Sequence, residues 1–472
     1  MKKYDFLVLG SGPAGQRAAV QAAKVGKRVA IIEQRAVVGG VSLHTGTIPS
    51  KALREAALYL TGWNQRGLYG RGYRLKAKVT LEDLFNRLHI TVQHEMQVMQ
   101  DQLSRNNITV VQGTASFTSP YAINVEGMDG SVIHYEADKI LISTGSYPIC
   151  PEGVVLNDST IINSDALLKL NKTPRSMAII GGGVIGVEYA SMFCTLDIKV
   201  TLVDGRATLM PFLDREIVDE LIHQLRGHGV VLRLAENVIQ VQEDPSGHVI
   251  TTLDSGKKIC TDVVLFTAGR MGCTAQLRLE NAGITADERL RIPVNVNFQT
   301  AAPHIYAAGD VIGFPSLAST SMEQGRRAAC HAFNVCEPGR LTNFPLGIYS
   351  VPEISVVGFT EEELTAKRIP YEVGIARFCE TARGQIMGVE SGFLKILVGL
   401  PEQKILGVHI IGEGATELIH IGQAVLVLGG SLTYFMENAF NYPTLAEAYK
   451  VAALDAWNRV GSLTQSRSLL AS

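Results

Sequence analysis

The sequence predicts an α/β protein with two Rossmann-like dinucleotide-binding domains and a C-terminal α+β domain. Three observations carry that expectation. A strand–glycine turn–helix–strand unit stands near the N-terminus, YDFLVLGSGPAGQRAAVQAAKVGKRVAIIEQ. A second copy lies mid-chain, SMAIIGGGVIGVEYASMFCTLDIKVTLVDGR. After Pro345 the texture changes to short strands separated by turn signals, which reads as an antiparallel sheet.

In the first copy an apolar run, Phe6 to Leu9, enters Gly10-Ser11-Gly12-Pro13-Ala14-Gly15. A helix with Ala18, Ala19, Ala22 and Ala23 follows, and a second apolar strand from Val29 closes on Glu33. The glycines divide the physical work among a tight turn, close approach of backbone to a pyrophosphate, and close packing of helix on strand. The helix N-terminus offers unpaired N–H groups and the positive end of its dipole to phosphate. Glu33 stands where a carboxylate accepts hydrogen bonds from an adenosine ribose. The second copy repeats the pattern with Gly181, Gly182, Gly183 and Gly186, and its strand ends in Asp204. Gly10 to Glu33 and Gly181 to Asp204 span the same interval. Two complete copies imply two dinucleotides held at once, each by its own doubly wound domain. Electron transfer between a flavin and a nicotinamide is the economical reason to hold both.

Further landmarks follow in order. Residues 80–104 read as one long amphipathic helix, with His89, His94, Met96 and Met99 as packing and surface residues. Lys139 to Thr144 is a strand ending in Gly145-Ser146, and Val263 to Thr267 one ending in Ala268-Gly269-Arg270. His304 to Val311 reads as a strand that delivers Asp310 toward a ribose or polyol chain. In the C-terminal part, IYSVPEISVVG, YEVGIARF, GFLKILVG and ILGVHIIG are the strands, with helical patterns at 360–367, 415–429 and 444–459. Lacking a phosphate loop, this part is a candidate dimerisation module.

A chain of 472 residues is too long for one hydrophobic core. A formal net charge of −2 argues against nucleic acid as a partner. The apolar run at Phe6 stops at a glycine turn, so it reads as a strand and not a signal peptide. No apolar stretch is long enough for a membrane span. Cys150, Cys194, Cys260, Cys273, Cys330, Cys336 and Cys379 are scattered, never as CxxC or CxxxxC. That usage points to a reducing cytoplasm, with neither a disulfide framework nor a metal site, and with each cysteine packed as a small buried residue.

With these residues assembled, the chain resembles the disulfide-oxidoreductase-like flavoproteins, such as dihydrolipoamide dehydrogenase, glutathione reductase and mercuric reductase. The resemblance covers essentially residues 1–460. It rests on GSGPAG, the GG…GTIPSK turn, STGSYP, GGGVIGVEYA, FTAGR, AAGDV, VPEISVVGFTEEEL and NYPTLAEAY. It implies an FAD domain in two parts, 1–150 and 276–343, with an NAD(P) domain inserted at 151–275. An interface domain, 344–472, would complete a homodimer. It carries Lys51 to the flavin's reactive nitrogen, with Glu188 as the lysine's ion-pairing partner. To the glycines of both turns, Glu33 and Asp310 it adds Gly39, Gly40, Ser42, Thr47, Ala115, Thr144, Gly145, Ala318 and Gly269 as cofactor-binding positions.

Two departures from the family pattern decide the expected chemistry. Where the disulfide enzymes carry a CxxxxC redox pair, this chain has Ser42 and Thr47. Near the C-terminus their His-Pro-Thr, with a glutamate five residues after the histidine, serves the thiols as acid and base. Here the run is Tyr442-Pro443-Thr444-Leu445-Ala446-Glu447. Both halves of the thiol machinery are absent together. The motifs at 44–54, 313–319, 347–355 and 440–449 are similar to those of the soluble pyridine nucleotide transhydrogenases of this family. That resemblance implies ping-pong hydride transfer from NADPH through FAD to NAD⁺. Asp204 would serve the ribose hydroxyl of NAD(H), and Arg206 the 2′-phosphate of NADP(H). Two other readings share the motifs: an NAD(P)H diaphorase or oxidase, and a non-catalytic, redox-responsive flavoprotein.

Overall fold

A computed structural model describes residues 2–335 and 342–470, with side chains to residue 461. The chain divides into two compact units. The first comprises Met1–Leu53, Leu84–Glu152 and Ala268–Arg340; the second comprises Arg54–Asp83, Gly153–Thr267 and Leu341–Ser472.

The first unit is built on a sheet of seven strands. Lys2–Leu9 lies parallel between Val29–Glu33 and Val132–Ile142, and Thr109–Gln112 extends the edge beyond Val29–Glu33. The long strand Val132–Ile142 has two neighbours on its other side. Its first half pairs antiparallel with Ala122–Glu126, and its last residues pair parallel with Ile305–Ala307. Alternation along these strands buries both faces. Phe6, Val8, Ile31 and Leu141 pack with the helical alanines Ala14, Ala18, Ala19 and Ala22. Leu7, Leu9, Ile32 and Ile140 fill the opposite side. The small residues of helix Pro13–Lys24 let a second helix, Ala318–Ala332, come close. A Cβ on Gly325 would lie 2.0 Å from the carbonyl oxygen of Ala14. The expected helix at 80–104 is present as Leu81–Arg105. The strand expected over His304 to Val311 is shorter, Ile305–Ala307, because Gly309 turns the chain at φ +83° into a short 3₁₀ turn that begins with Asp310.

The second unit holds a five-stranded parallel sheet in the order Val231–Leu234, Lys199–Asp204, Ser176–Ile180, Val263–Phe266, Ile161–Asn163. Its helix Val184–Thr195 is buried from Gly186 onward, as expected of a helix that is apolar on all sides. The C-terminal strands form the antiparallel sheet the pattern predicts, with Ile405–Ile411 and Phe393–Gly399 at its centre. Helices Ala415–Val427 and Ala448–Leu470 cover it. The buried Tyr449 hydroxyl accepts from Gly422 N–H (3.0 Å) and donates to Leu418 O (2.8 Å), tying these two helices together.

The turn glycines fall into two physical classes. A Cβ on Gly15 would stand 2.0 Å from Gly10 O, and one on Gly186 would stand 1.9 Å from Gly181 O. Around Gly12 and Gly183 a Cβ would meet nothing within 4 Å. Gly15→Ala and Gly186→Ala are therefore expected to destabilise by about 2 kcal/mol or more, read as a lower denaturant midpoint. Gly12→Ala and Gly183→Ala should leave that midpoint nearly unchanged in cofactor-free protein.

Candidate functional site

The first turn is assembled from backbone contacts that only glycine permits. Gly10, at φ +100°, donates to Ile32 O at 2.8 Å, and a Cβ there would fall 2.4 Å from Ser143 O. Ser143 Oγ, within 3.0 Å of both Leu9 O and Gly10 O, pins the strand end. Gly12 then caps helix Pro13–Lys24, with Pro13 in the first turn where a missing N–H costs nothing. Gly40 comes so close that its Cβ would be 2.9 Å from Gly12 Cα. Glu33, 7% exposed, is held at the end of its strand by Ser11. Ser11 N–H donates to Oε2 at 2.9 Å, and Ser11 Oγ donates to the same oxygen while accepting from Gly39 N–H.

The second turn repeats this geometry residue by residue. Gly181, at φ +111°, donates to Val203 O at 2.8 Å, and Thr267 Oγ1 takes the place of Ser143 Oγ, bonding Ile180 O and Gly181 O. Gly183 caps helix Val184–Thr195. Where the first turn has Ser11, the second has Gly182, whose N–H donates to Asp204 Oδ2. Leu209 Cδ2 occupies the space beside it, 2.5 Å from where a Gly182 Cβ would be. Arg206 grips Asp204 through Nε at 2.8 Å and Nη2 at 2.7 Å, and its own N–H adds a third bond at 2.8 Å. Burial alone would raise the Asp204 pKa. The Arg206 and backbone hydrogen bonds outweigh it and hold the carboxyl below its ordinary range.

The remaining expected positions are distributed as follows. Asp310 accepts from Ser146 Oγ at 2.8 Å, and Ser146 Oγ in turn accepts from Arg270 Nε at 2.8 Å. Thr144 Oγ1 is buried without a hydrogen-bond partner, beside Gly145 at φ +75°. Gly269, at φ +120°, accepts at its carbonyl from Ile149 N–H. Ala115 packs in the sheet core, and Ala318 opens the helix Ala318–Ala332. Ser42 sits half-buried on the short helix Gly40–His44, and Thr47 begins helix Thr47–Leu60. Lys51 Nζ, also half-buried, donates to Ser50 Oγ at 3.3 Å. Glu188, 7% exposed, accepts from Tyr349 N–H at 2.8 Å. Tyr442 is 72% exposed, whereas Glu447 Oε2 is buried with no hydrogen-bond partner.

Several residues at these sites carry no signal in the sequence. Ser11 was legible only as the variable position of a glycine turn. Arg54, 2% exposed, donates to Ser350 O at 3.0 Å and meets Glu353 at 3.3 Å, a pairing between distant segments. The cysteine expectation needs correction. Cys194 and Cys330 are buried, but Cys150, Cys273 and Cys379 are half-exposed and Cys260 is exposed. Cys260 lies on the outer strand Lys258–Thr261 and faces away from the inward Ile259 and Thr261. Cys336 lies outside the described residues. No helix among the described residues is long and apolar enough to cross a membrane.

Comparison with known proteins agrees with this geometry. The family model described as pyridine nucleotide-disulphide oxidoreductase matches residues 4–325, and the dimerisation domain of the same family matches residues 344–453. The chain is similar to a soluble pyridine nucleotide transhydrogenase of Mycobacterium tuberculosis, 50% identical over 468 residues, or 99% of this chain and 100% of that one. A protein of the same name from Yersinia pseudotuberculosis is 45% identical over 97% of this chain and 98% of its own. Among solved structures, the HOCl-induced flavoprotein disulfide reductase RclA from Escherichia coli matches with a TM-score of 0.84 at 28% identity, over 95% of this chain and 99% of that one. LpdA from Mycobacterium tuberculosis matches with a TM-score of 0.88 at 25% identity, over 96% and 99%. A family match over most of the chain, twin phosphate turns and a C-terminal dimerisation domain agree: the chain belongs to the pyridine nucleotide-disulphide oxidoreductase family.

Proposed function

We propose that the protein is an FAD-dependent NAD(P)⁺ transhydrogenase that moves hydride from NADPH to NAD⁺ by a ping-pong route, without a redox-active disulfide. The observation that carries this reading is the combination of two complete phosphate turns with hydroxyl residues, Ser42 and Thr47, at the positions of the redox thiols. Electrons that reach such a site have no thiol to go to, and the second nicotinamide is the acceptor we assign.

The residues of the first unit fit FAD. Open space faces Gly12, a carboxylate ends the second strand at Glu33, and the orphaned Thr144 Oγ1 lacks a partner that a bound cofactor supplies. FAD bound there supplies the two-electron acceptor and donor that no amino-acid side chain provides. The protein's own residues bind and orient. The N–H groups at Gly12 and the dipole of helix Pro13–Lys24 receive the pyrophosphate. Glu33 takes the ribose, and the Asp310–Ser146–Arg270 chain fixes a second polar anchor. Lys51 contributes positive charge where the ring gains electrons. Tyr442 and Glu447 stand where the disulfide enzymes keep their acid–base pair, and here they have no thiol to serve.

The second unit takes the nicotinamide nucleotides in turn. Gly183 receives the pyrophosphate, and the Asp204–Arg206 pair accommodates both adenosine riboses. A 2′-phosphate competes with Asp204 for the Arg206 guanidinium, which is 46% exposed at its side chain. A free 2′-hydroxyl instead donates to the Asp204 carboxylate. We assign residues 1–150 and 276–343 to the FAD domain, 151–275 to the NAD(P) domain and 344–472 to the interface of a homodimer. Val451, Leu454 and Trp457, exposed at helical spacing on Ala448–Leu470, support self-association. The scattered cysteines support a reducing, cytoplasmic setting.

Six outcomes test this reading. The protein should purify yellow with one FAD per chain. Anaerobic NADPH should bleach the flavin spectrum and NAD⁺ should restore it; a bleached enzyme that only dioxygen or quinone reoxidises would identify a diaphorase. Thiol reagents should leave turnover nearly intact, modifying Cys260 first, because Cys260 is exposed whereas burial covers Cys194 and pushes its thiol pKa up. Full reduction should take two electrons per flavin, and uptake of four would reveal a recruited cysteine pair. Arg206→Ala should raise the Michaelis constant for NADPH roughly tenfold while sparing NADH, the loss of one partly exposed charge-assisted hydrogen bond. Asp204→Ala should weaken NADH instead; equal damage to both nucleotides would mean a general fault in the domain.

A further inference from the structure

The strand Phe393–Gly399 of the C-terminal sheet is buried at every position, yet it carries a lysine. Lys395 is 0% exposed, and its Nζ meets three carboxylates: Asp214 Oδ1 at 2.8 Å, Glu216 Oε2 at 2.7 Å, and Glu361. Those three carboxylates converge closely enough to hold a metal ion, but the ammonium group already stands among them. Burial disfavours the charge on Lys395, and the surrounding carboxylates outweigh it, so the lysine stays protonated.

Asp214 is the centre of this cluster. It is 1% exposed, caps helix Arg215–Gly227 by accepting from Glu216 N–H, and accepts from Glu361 N–H at 3.4 Å. Arg215 N–H donates to Glu362 in return, at 3.3 Å. His409 is buried nearby with Nε2 donating to Phe359 O at 2.8 Å, and burial pushes its pKa down, so it adds no second cation at neutral pH.

Asp214 also ends a strap. Residues 205–213 run from Asp204, which is fixed to Gly182 N–H and Arg206, to Asp214, which is fixed by Lys395. Along the strap, Arg206 O accepts from Ala235 N–H, and Leu209 and Met210 are fully buried. Leu209 is seated against Gly182 of the phosphate turn. Leu213 is also buried, whereas residues 205–208, 211 and 212 are exposed, so the strap is held at Leu209, Met210 and Leu213 and by the Arg206 O–Ala235 N–H bond.

We infer that Lys395 is a positioning residue for nucleotide selection: from the C-terminal sheet it locks the Asp214 end of the 205–213 strap and so holds Arg206 where it can meet an NADP(H) 2′-phosphate. The inference rests on the proposed role of Arg206. It assigns to the dimerisation domain a part in choosing between the two nicotinamides, in addition to holding two chains together.

The test is a double-mutant cycle on the FAD-loaded enzyme with Lys395→Met, Arg206→Ala and the pair, measuring KM and kcat for NADPH and NADH. Lys395→Met should raise KM for NADPH roughly threefold to thirtyfold, the range of coupling through packed networks, with kcat within about twofold and NADH little changed. On the Arg206→Ala background the same change should add little, because the strap then has no guanidinium to position. An equal increment on both backgrounds, or a folded Lys395→Met enzyme with unaltered KM for NADPH, overturns the inference. Should Lys395→Met fail to fold, Asp214→Asn carries the test, since it removes the charge that Lys395 grips at the strap end while its amide oxygen can still accept from Glu216 N–H. A rise in the same KM supports the inference, and no rise defeats it. Arg206→Ala alone separates the two ideas. If it leaves KM for NADPH untouched, the dual-nucleotide reading fails; if it raises KM and Lys395→Met does not, only the role of Lys395 fails.

Discussion

A backbone approach that a single methyl group would block underlies the molecule's function. At Gly15 and at Gly186 the helix meets the carbonyl of the turn's first glycine at a distance no Cβ tolerates. That contact lets the helix start directly at the strand end, with its free N–H groups facing the space beside Gly12 or Gly183. The short alanine side chains of helix Pro13–Lys24 and the seat of helix Ala318–Ala332 serve the same close approach of backbones. The carboxylates then have their places decided as well. Glu33 and Asp204 both end the strand that follows their turn's helix, and both accept from the N–H that follows the first glycine.

The two turns are equivalent in backbone and different in charge. Ser11 satisfies Glu33 through neutral hydrogen bonds, leaving its carboxylate a net acceptor. Gly182 offers only an N–H, and Arg206 supplies the countercharge for Asp204. A neutral hydroxyl beside one carboxylate suits a ribose, whereas a cation beside the other suits a ligand whose charge varies. The chemistry at residues 39–51 is likewise set by what replaced sulfur. Ser42 lies within the short helix Gly40–His44 and Thr47 begins the next one, and neither hydroxyl can accept electrons as a disulfide does.

The cost of burying charge explains how the second unit is tied together. A lone ammonium or carboxylate in an apolar sheet is strongly disfavoured, and a buried pair survives only when further hydrogen bonds complete it. Lys395 has three carboxylates, and Arg54 has Ser350 O and Glu353, which itself accepts from Thr416 N–H and Oγ1. Each of these clusters joins segments far apart in the chain. They specify one arrangement of those segments, because any slip leaves a charge buried alone.

The sequence by itself determined the fold class, the two turns, the long helix over Leu81–Arg105, the antiparallel C-terminal sheet and the absence of a thiol pair at residues 42 and 47. These were legible because they depend on local constraints: positive φ at glycine, the spacing of a turn, the period of apolar residues, and the identity of a side chain at a motif position. Tertiary structure alone decided that Ser11 holds Glu33, that Arg206 folds onto Asp204, that Cys260 faces outward, and that Tyr442 is exposed while Glu447 Oε2 is covered. It also decided the surroundings of Lys395, a lysine that in the string FLKILVG only contradicts the apolar pattern around it. Its partners Asp214 and Glu216 lie 181 and 179 residues earlier in the chain, and no periodicity relates them to residue 395. A local pattern reports which face a residue turns to the core; which distant charge meets it there is settled only when the chain is packed.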